Sequence, residues 1–168
     1  YIGDANPWFT AGMTNTISWK GLSLSFLLTA SVGNDIYNAS KIEMIGMYTG
    51  ANQIKDAVRR WRVPGQITDI PKAGELDNLR ASTRWVEDGS YLKFKNITLS
   101  YDITCPKLRK ANISRIQPYI TLDNMVTFTG YSGYDPEMSQ YTSATNTGID
   151  WGTYPCVKTV LFGVNVEF

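Results

Sequence analysis

Residues 22–32 read LSLSFLLTASV, and the alternation in this stretch decides the fold. Leu22, Leu24, Phe26, Leu28, Ala30 and Val32 fall on one face of an extended chain, with Ser23, Ser25, Leu27, Thr29 and Ser31 on the other. At about 3.3 Å per residue the run is roughly 36 Å long, and tilted by about 45° it rises roughly 25 Å, the height of an outer-membrane apolar band. A soluble strand is shorter, about 5–6 residues. The length therefore favours a transmembrane barrel strand.

The same period of two recurs outward from this stretch. Upstream, Met13, Ile17 and Trp19 alternate with Thr14, Thr16 and Ser18, and Lys20-Gly21 supplies a tight turn, so residues 12–32 read as one hairpin. Ile97, Leu99, Tyr101 and Ile103 alternate with Asn96, Thr98, Ser100 and Asp102. Ile116, Ile120 and Leu122 alternate with Gln117, Tyr119, Thr121 and Asp123, while Pro118 falls on the apolar side and either weakens the strand or marks a bulge. At the end of the chain, Val160, Phe162, Val164, Val166 and Phe168 alternate with Thr159, Leu161, Gly163, Asn165 and Glu167. The expected strands are thus about 12–19, 22–32, 91–103, 115–128 and 157–168.

The connections alternate in length. Short turns at 20–21 and 104–113 separate long loops at 33–89 and 130–156. Outer-membrane barrels sort their connections in this way, with short periplasmic turns and long extracellular loops. Within the first long loop, residues 52–61 (NQIKDAVRRW) are expected to form a short helix with Ile54, Val58 and Trp61 on one face, ended by Pro64-Gly65.

Composition narrows the function. Sixteen basic and fifteen acidic side chains nearly balance, which gives no electrostatic case for nucleic acid. Histidine is absent, which removes the commonest general base and metal ligand. Ten Tyr and five Trp, with many Thr, Ser, Asn and Gly, favour strands and turns. No run of apolar residues is long enough for a transmembrane helix, which does not exclude a membrane protein, because barrel strands alternate and average out in hydropathy. The chain starts at Tyr1 without Met and reads as a fragment or processed product.

Five stretches resemble signatures of SusC/RagA-type TonB-dependent transporters: residues 2–38, Arg60-Trp61 with TDIP at 68–71, EDGSYLKFKNITLSYDI at 87–103, FTGYSGYDPE at 128–137, and the terminal strand ending in Phe168. They occur in the family's order. The chain departs from the family's pattern at Cys156-Val157 and at Cys105, without disturbing the strands. The resemblance implies that residues 1–168 are the C-terminal part of a plugged, all-β antiparallel barrel of about 22 strands, with the plug domain outside this chain. It further implies the outer membrane of a Gram-negative bacterium. The implied partners are the remaining strands and plug, a SusD-like surface lipoprotein, the lipid bilayer, and TonB engaged through the N-terminal part. Family members import oligosaccharides or peptides. No cofactor and no metal are expected, and no enzyme. The alternative is a secreted carbohydrate-binding or adhesive β-sandwich.

Site residues follow from the pattern. Leu24, Phe26, Leu28, Leu99, Phe162, Val164 and Val166 are expected to face lipid; Trp19, Tyr101 and Phe168, at the short-turn ends, suit an interfacial aromatic girdle. The apolar terminal strand ending in Phe168 resembles the signal read by barrel-assembly machinery. In the second long loop, Tyr131, Tyr134, Asp135, Glu137, Tyr141, Trp151 and Tyr154 are candidate contacts for substrate or partner. The bland reading of Gly133-Tyr134-Asp135-Pro136-Glu137 is a motif that shapes the loop, since Asp-Pro marks turns. Cys105 and Cys156 are expected at opposite rims of the barrel, too far apart to pair.

Overall fold

An alternating strand can bury its apolar face only if its neighbours keep the same register, so pairing decides what the alternation means. The computed structural model describes residues 1–106, 108, 112–137, 139 and 147–168. Along the chain run β1 (Phe9–Trp19), β2 (Leu22–Val32), β3 (Asp35–Asn38), α1 (Ala39–Gly46), β4 (Val86–Asp88), β5 (Tyr91–Tyr101), β6 (Arg115–Thr129), β7 (Ile149–Asp150) and β8 (Thr159–Glu167). The chain divides into two compact units. One contains Phe9–Val32, Tyr91–Thr129 and Cys156–Phe168; the other contains Tyr1–Trp8, Gly33–Ser90 and Gly130–Pro155.

The first unit is a five-stranded sheet in the order β1-β2-β5-β6-β8, antiparallel throughout. Lys20 and Gly21 turn β1 into β2 with φ of 46° and 86°, the positive pair that a two-residue hairpin requires. Cross-strand partners share a face. Ile17, Leu24, Leu99, Ile120 and Phe162 therefore form one row across all five strands. Asn15, Phe26, Ile97, Leu122 and Val160 form the next. The opposite face carries Thr and Ser ladders, with hydroxyl contacts of 2.8 Å between Ser18 and Ser23 and 2.9 Å between Thr98 and Thr121. Asn96 donates to Asp123 at 2.7 Å on the same side.

The apolar face is open. Ile17 is 60% exposed, Phe162 77% and Val164 60%. In a sandwich, a second sheet would cover such a face. Instead, every buried hydrophobic residue among those described lies in the other unit: Ile36, Ala39, Ile42, Ile45, Ala57, Ile70, Trp85 and Tyr131.

One irregularity keeps the faces consistent. Along β5 the apolar positions change phase, from Leu92 and Phe94 to Ile97, Leu99 and Tyr101. Lys95 takes up the extra residue. On β2 the register passes directly from Leu28↔Phe94 to Leu27↔Asn96. On β6 two residues, Asn124 and Met125, stand opposite Lys95, and Asn124 adopts φ 55°. The result is a β-bulge that returns each half of β5 to its own face.

Pro118 carries no bulge. It pairs in register with Val164. Its missing donor falls where the β5–β6 ladder is interrupted, between Ser100↔Tyr119 and the isolated Ile103↔Ile116 bridge. β1 begins at Phe9, before the expected residue 12, because Phe9 to Ala11 continue the register against Val32 to Ala30. β5 ends at Tyr101, with Ile103 joined only by its bridge. Part of the 104–113 connection lies outside the described residues. The expected helix over 52–61 is corrected to a five-residue 3-10 turn, Lys55–Arg59, which buries Ala57 and leaves Val58 65% exposed. No disulfide joins Cys105 and Cys156, which sit beyond opposite ends of the strands.

Tyr119 and Gly163 face each other on the polar side of β6 and β8. A Cβ on Gly163 would lie 2.3 Å from Cζ of Tyr119, so the phenol ring occupies the space a side chain would take. Gly163→Ala must push the ring off and is expected to destabilise the barrel by about 1–3 kcal/mol, the usual cost of overpacking. A Tyr119→Ala, Gly163→Ala double-mutant cycle in refolding titrations of the full-length protein checks it. Additive losses would show that the ring and the glycine are not coupled.

Candidate functional site

The two long loops meet in the second unit, and a short sheet joins them. β3 is the central strand, antiparallel to β4 and parallel to β7, in the order β4-β3-β7. β3 and β4 belong to the first loop and β7 to the second, so the pairs Tyr37↔Ile149 and Asn38↔Asp150 tie segments far apart in sequence. β3 runs directly into α1. Asn38 caps this helix, its side chain accepting from the Lys41 amide at 3.2 Å, and Met47 closes it in the left-handed conformation with φ 52°. Ile42 and Ile45 turn inward, as does Trp85, whose indole N–H donates to the Arg80 carbonyl at 3.2 Å.

Glu87 on β4 is the polar hub of the unit. Its carboxylate accepts from the Ser132 amide at 2.9 Å and the Ser132 hydroxyl at 2.9 Å. It also accepts from the Lys41 ammonium at 3.0 Å and the Asn38 side chain at 3.1 Å. Burial alone would raise its pKa; the two Ser132 donors and Lys41 outweigh that and hold it below the ordinary glutamate range. One carboxylate thus links β4, α1 and the second loop.

A second link lies in the loop motif. Tyr131 is 6% exposed and donates its hydroxyl to Asp150 at 2.6 Å. Burial, followed by the Asp150 carboxylate, pushes the phenol far above its ordinary pKa, so it remains a donor. The ring lies against Gly133: a Cβ there would sit 2.3 Å from Cε1 of Tyr131. Asp135 is buried and closes an Asx turn by accepting from the Glu137 amide at 3.1 Å.

The candidate contact residues therefore separate into two groups. Tyr131 and Asp135 are buried, and the bonds described above tie them into the loop. Tyr134, Trp151 and Tyr154 are 76%, 55% and 78% exposed, and their rings are available. Glu137 is half-buried. Tyr141 lies outside the described residues. Glu87 was legible only as the first letter of the EDGSY stretch, with nothing local to mark it as a hub. A cleft of about 300 Å³ opens beside the motif, with Lys41, Met44, Ile54, Asp56, Tyr134 and Asp150 in its wall.

No protein-family model matches the chain. It is 34% identical over 172 residues to TonB-dependent receptor P3 of Formosa agariphila, a match covering 99% of this chain and 17% of that protein. It is 26% identical over 168 residues to TonB-dependent receptor SusC of Bacteroides thetaiotaomicron, covering 94% of this chain and 15% of that one. Among solved structures, that of the RagAB peptide transporter superposes with a TM-score of 0.81 at 27% identity, over 95% of this chain and 17% of the other. The RagAB peptide importer in its open-open state gives 0.78 at 26%, over 98% and 17%. The chain thus spans about a sixth of the length of these relatives.

An antiparallel sheet with an open apolar face and this match to solved transporters defines a segment of a β-barrel. Over nearly its whole length the chain is similar to TonB-dependent receptors, SusC among them, and to the RagAB transporter structures, and these relatives are receptors and transporters, not enzymes.

The Glu87 hub sets a pH dependence. Its folded pKa lies below the ordinary value of 4.5, so the carboxylate's contribution is complete at neutral pH and is lost as the pH falls below about 4.5. Protease nicking of the loop unit on the full-length protein should accelerate across that window. Glu87→Gln should already be nicked faster at neutral pH, since the amide loses charge-assisted bonds worth roughly 1–3 kcal/mol, and should respond less to acid. Identical pH profiles for the two proteins would remove Glu87 from this role.

Proposed function

We propose that the chain is the barrel-and-loop segment of a TonB-dependent importer of oligosaccharides or peptides in the outer membrane of a Gram-negative bacterium, working with a SusD-like surface lipoprotein. The open apolar face carries this reading. Leu24, Phe26, Leu28, Leu99, Phe162, Val164 and Val166 lie on that single face of the sheet. Lipid is the solvent that such a face requires. Trp19, Tyr101 and Phe168 all stand at the hairpin end of the strands, with Lys20 4.9 Å over the Trp19 ring, an arrangement suited to the periplasmic interface. The polar face, with Thr98, Asn165 and Gln117, then lines the lumen. The loop unit lies outside the cell, where Tyr134, Trp151 and Tyr154 are placed to meet substrate or lipoprotein. The SusC and RagAB relatives support both the transport role and the paired lipoprotein.

Two expected outcomes test this reading. Phe162→Arg should destabilise the full-length barrel by about 2–4 kcal/mol if it lies near the midplane, and Asn165→Arg far less; comparable losses in refolding titrations would deny the facing. In cells that depend on this transporter for growth on its nutrient, Tyr134→Ala, Trp151→Ala and Tyr154→Ala together should slow uptake or loosen the lipoprotein, with normal surface levels by immunoblot. Undiminished uptake and association would remove these rings from the contact surface.

A further inference from the structure

The turn between β1 and β2 places a cation on the apolar side of the sheet. Lys20 holds φ 46°, a left-handed position that Asn, Asp or Gly fills at lower steric cost. Its ammonium stands 4.9 Å over the Trp19 ring. Trp19 pairs with Leu22, and Leu22 with Tyr101, so the three share one row, and by alternation that row lies on the face of Leu24 and Leu99. The Tyr101 ring also closes on the turn: a Cβ on Gly21 would lie 3.5 Å from its Cε2. Trp19 and Tyr101 are 68% and 47% exposed. One cation and two aromatic rings with polar tips thus meet at one end of the apolar face.

The counter-charges at this end stand on the other face. Asp102 follows Tyr101 and Glu167 follows Val166, so both carboxylates fall on the polar side. There Arg115 holds them at 3.6 Å and 3.2 Å, and Gln117 donates to Asp102 at 2.8 Å. Among the described residues, no carboxylate pairs with Lys20, and neither the Trp19 indole N–H nor the Tyr101 hydroxyl makes a hydrogen bond. The connection from β5 to β6 carries Lys107, Arg109 and Lys110 in its sequence and no carboxylate. An anion for Lys20 must therefore come from whatever covers the apolar face.

We propose that Trp19, Lys20 and Tyr101 form a binding site for the headgroup of an anionic phospholipid in the periplasmic leaflet, in the first instance phosphatidylglycerol. The Lys20 ammonium meets the phosphodiester, and the Trp19 N–H and Tyr101 hydroxyl donate to phosphate and glycerol oxygens. The acyl chains then continue along the apolar face over Leu22, Leu24 and Leu99. Phosphatidylcholine presents the same phosphate, but its own ammonium neutralises it, so Lys20 gains less. The inference rests on the barrel reading above and adds a specific lipid contact to it.

The test is native mass spectrometry of the full-length transporter in detergent, titrated with phosphatidylglycerol, phosphatidylcholine of the same acyl chains, and lipid A. Phosphatidylglycerol should bind at least about fivefold more tightly than phosphatidylcholine, the weight of one lysine beside anionic lipid. Lys20→Asn suits the left-handed turn position, so it should cut that preference about fivefold without lowering the refolding midpoint. Lys20→Arg should retain the preference, and Tyr101→Phe, which keeps the ring, should reduce it in part. Equal binding of the two phospholipids, or a preference that Lys20→Asn leaves unchanged, overturns the proposal. So does a Lys20-dependent preference for lipid A alone, which would put this end of the sheet in the outer leaflet. If the preference is missing while Phe162→Arg still destabilises the barrel, the lipid-facing reading stands and only this site falls.

Discussion

The backbone hydrogen-bond ladder across five strands is the constraint on which the rest depends. In hydrocarbon a strand has no water to satisfy its N–H and C=O groups, so every group must find a neighbouring strand. The ladder fixes register, and register decides which side chains share the apolar face and which the polar one. Two local departures serve that rule. The bulge at Lys95 absorbs a phase change that would otherwise turn Phe94 or Ile97 to the wrong face. Pro118 sits at a gap in the β5–β6 ladder, where its absent donor leaves no bond unmade.

The loops obey the opposite solvent. In water they need a core of their own, and they build one around β3, α1 and Trp85. The first and second loops share a sheet and the Glu87 carboxylate, while the Tyr131–Asp150 bond braces the second loop internally. Aromatic residues divide accordingly. Tyr131 and Trp85 hold the unit together from inside, while Tyr134, Trp151 and Tyr154 remain at its surface. The motif around Gly133 therefore has two physical roles: its buried members shape a scaffold, and its exposed tyrosine is displayed by it.

Short-range patterning carried much of this fold. The alternation in Leu22–Val32 and in Thr159–Glu167, the Lys20-Gly21 turn, and the long spacing between strands all report local rules, because a strand's faces are set by parity alone. Helix 39–46 leaves little mark on the sequence. Its cap, Asn38, and its inward residues, Ile42 and Ile45, span barely two turns, too short for periodicity to stand out. The richer pattern over 52–61 folds only as a 3-10 turn, because apolar spacing on a helix matters only if something packs against it, and Val58 is exposed.

By itself the sequence determined the five strands and their two faces, since these follow from period, length and loop order along one chain; the class of barrel rested on the resemblance of its motifs to a known family. The tertiary structure alone decided where β5 shifts phase, that the two long loops share one core, and that Glu87 and Asp150 stand at its polar centres. Glu87 lies 45 residues from Ser132, and Tyr131 19 residues from Asp150. No local rule links residues so separated. The same holds for the cleft: Lys41, Asp56, Tyr134 and Asp150 are separated along the chain and line one cleft only in the fold.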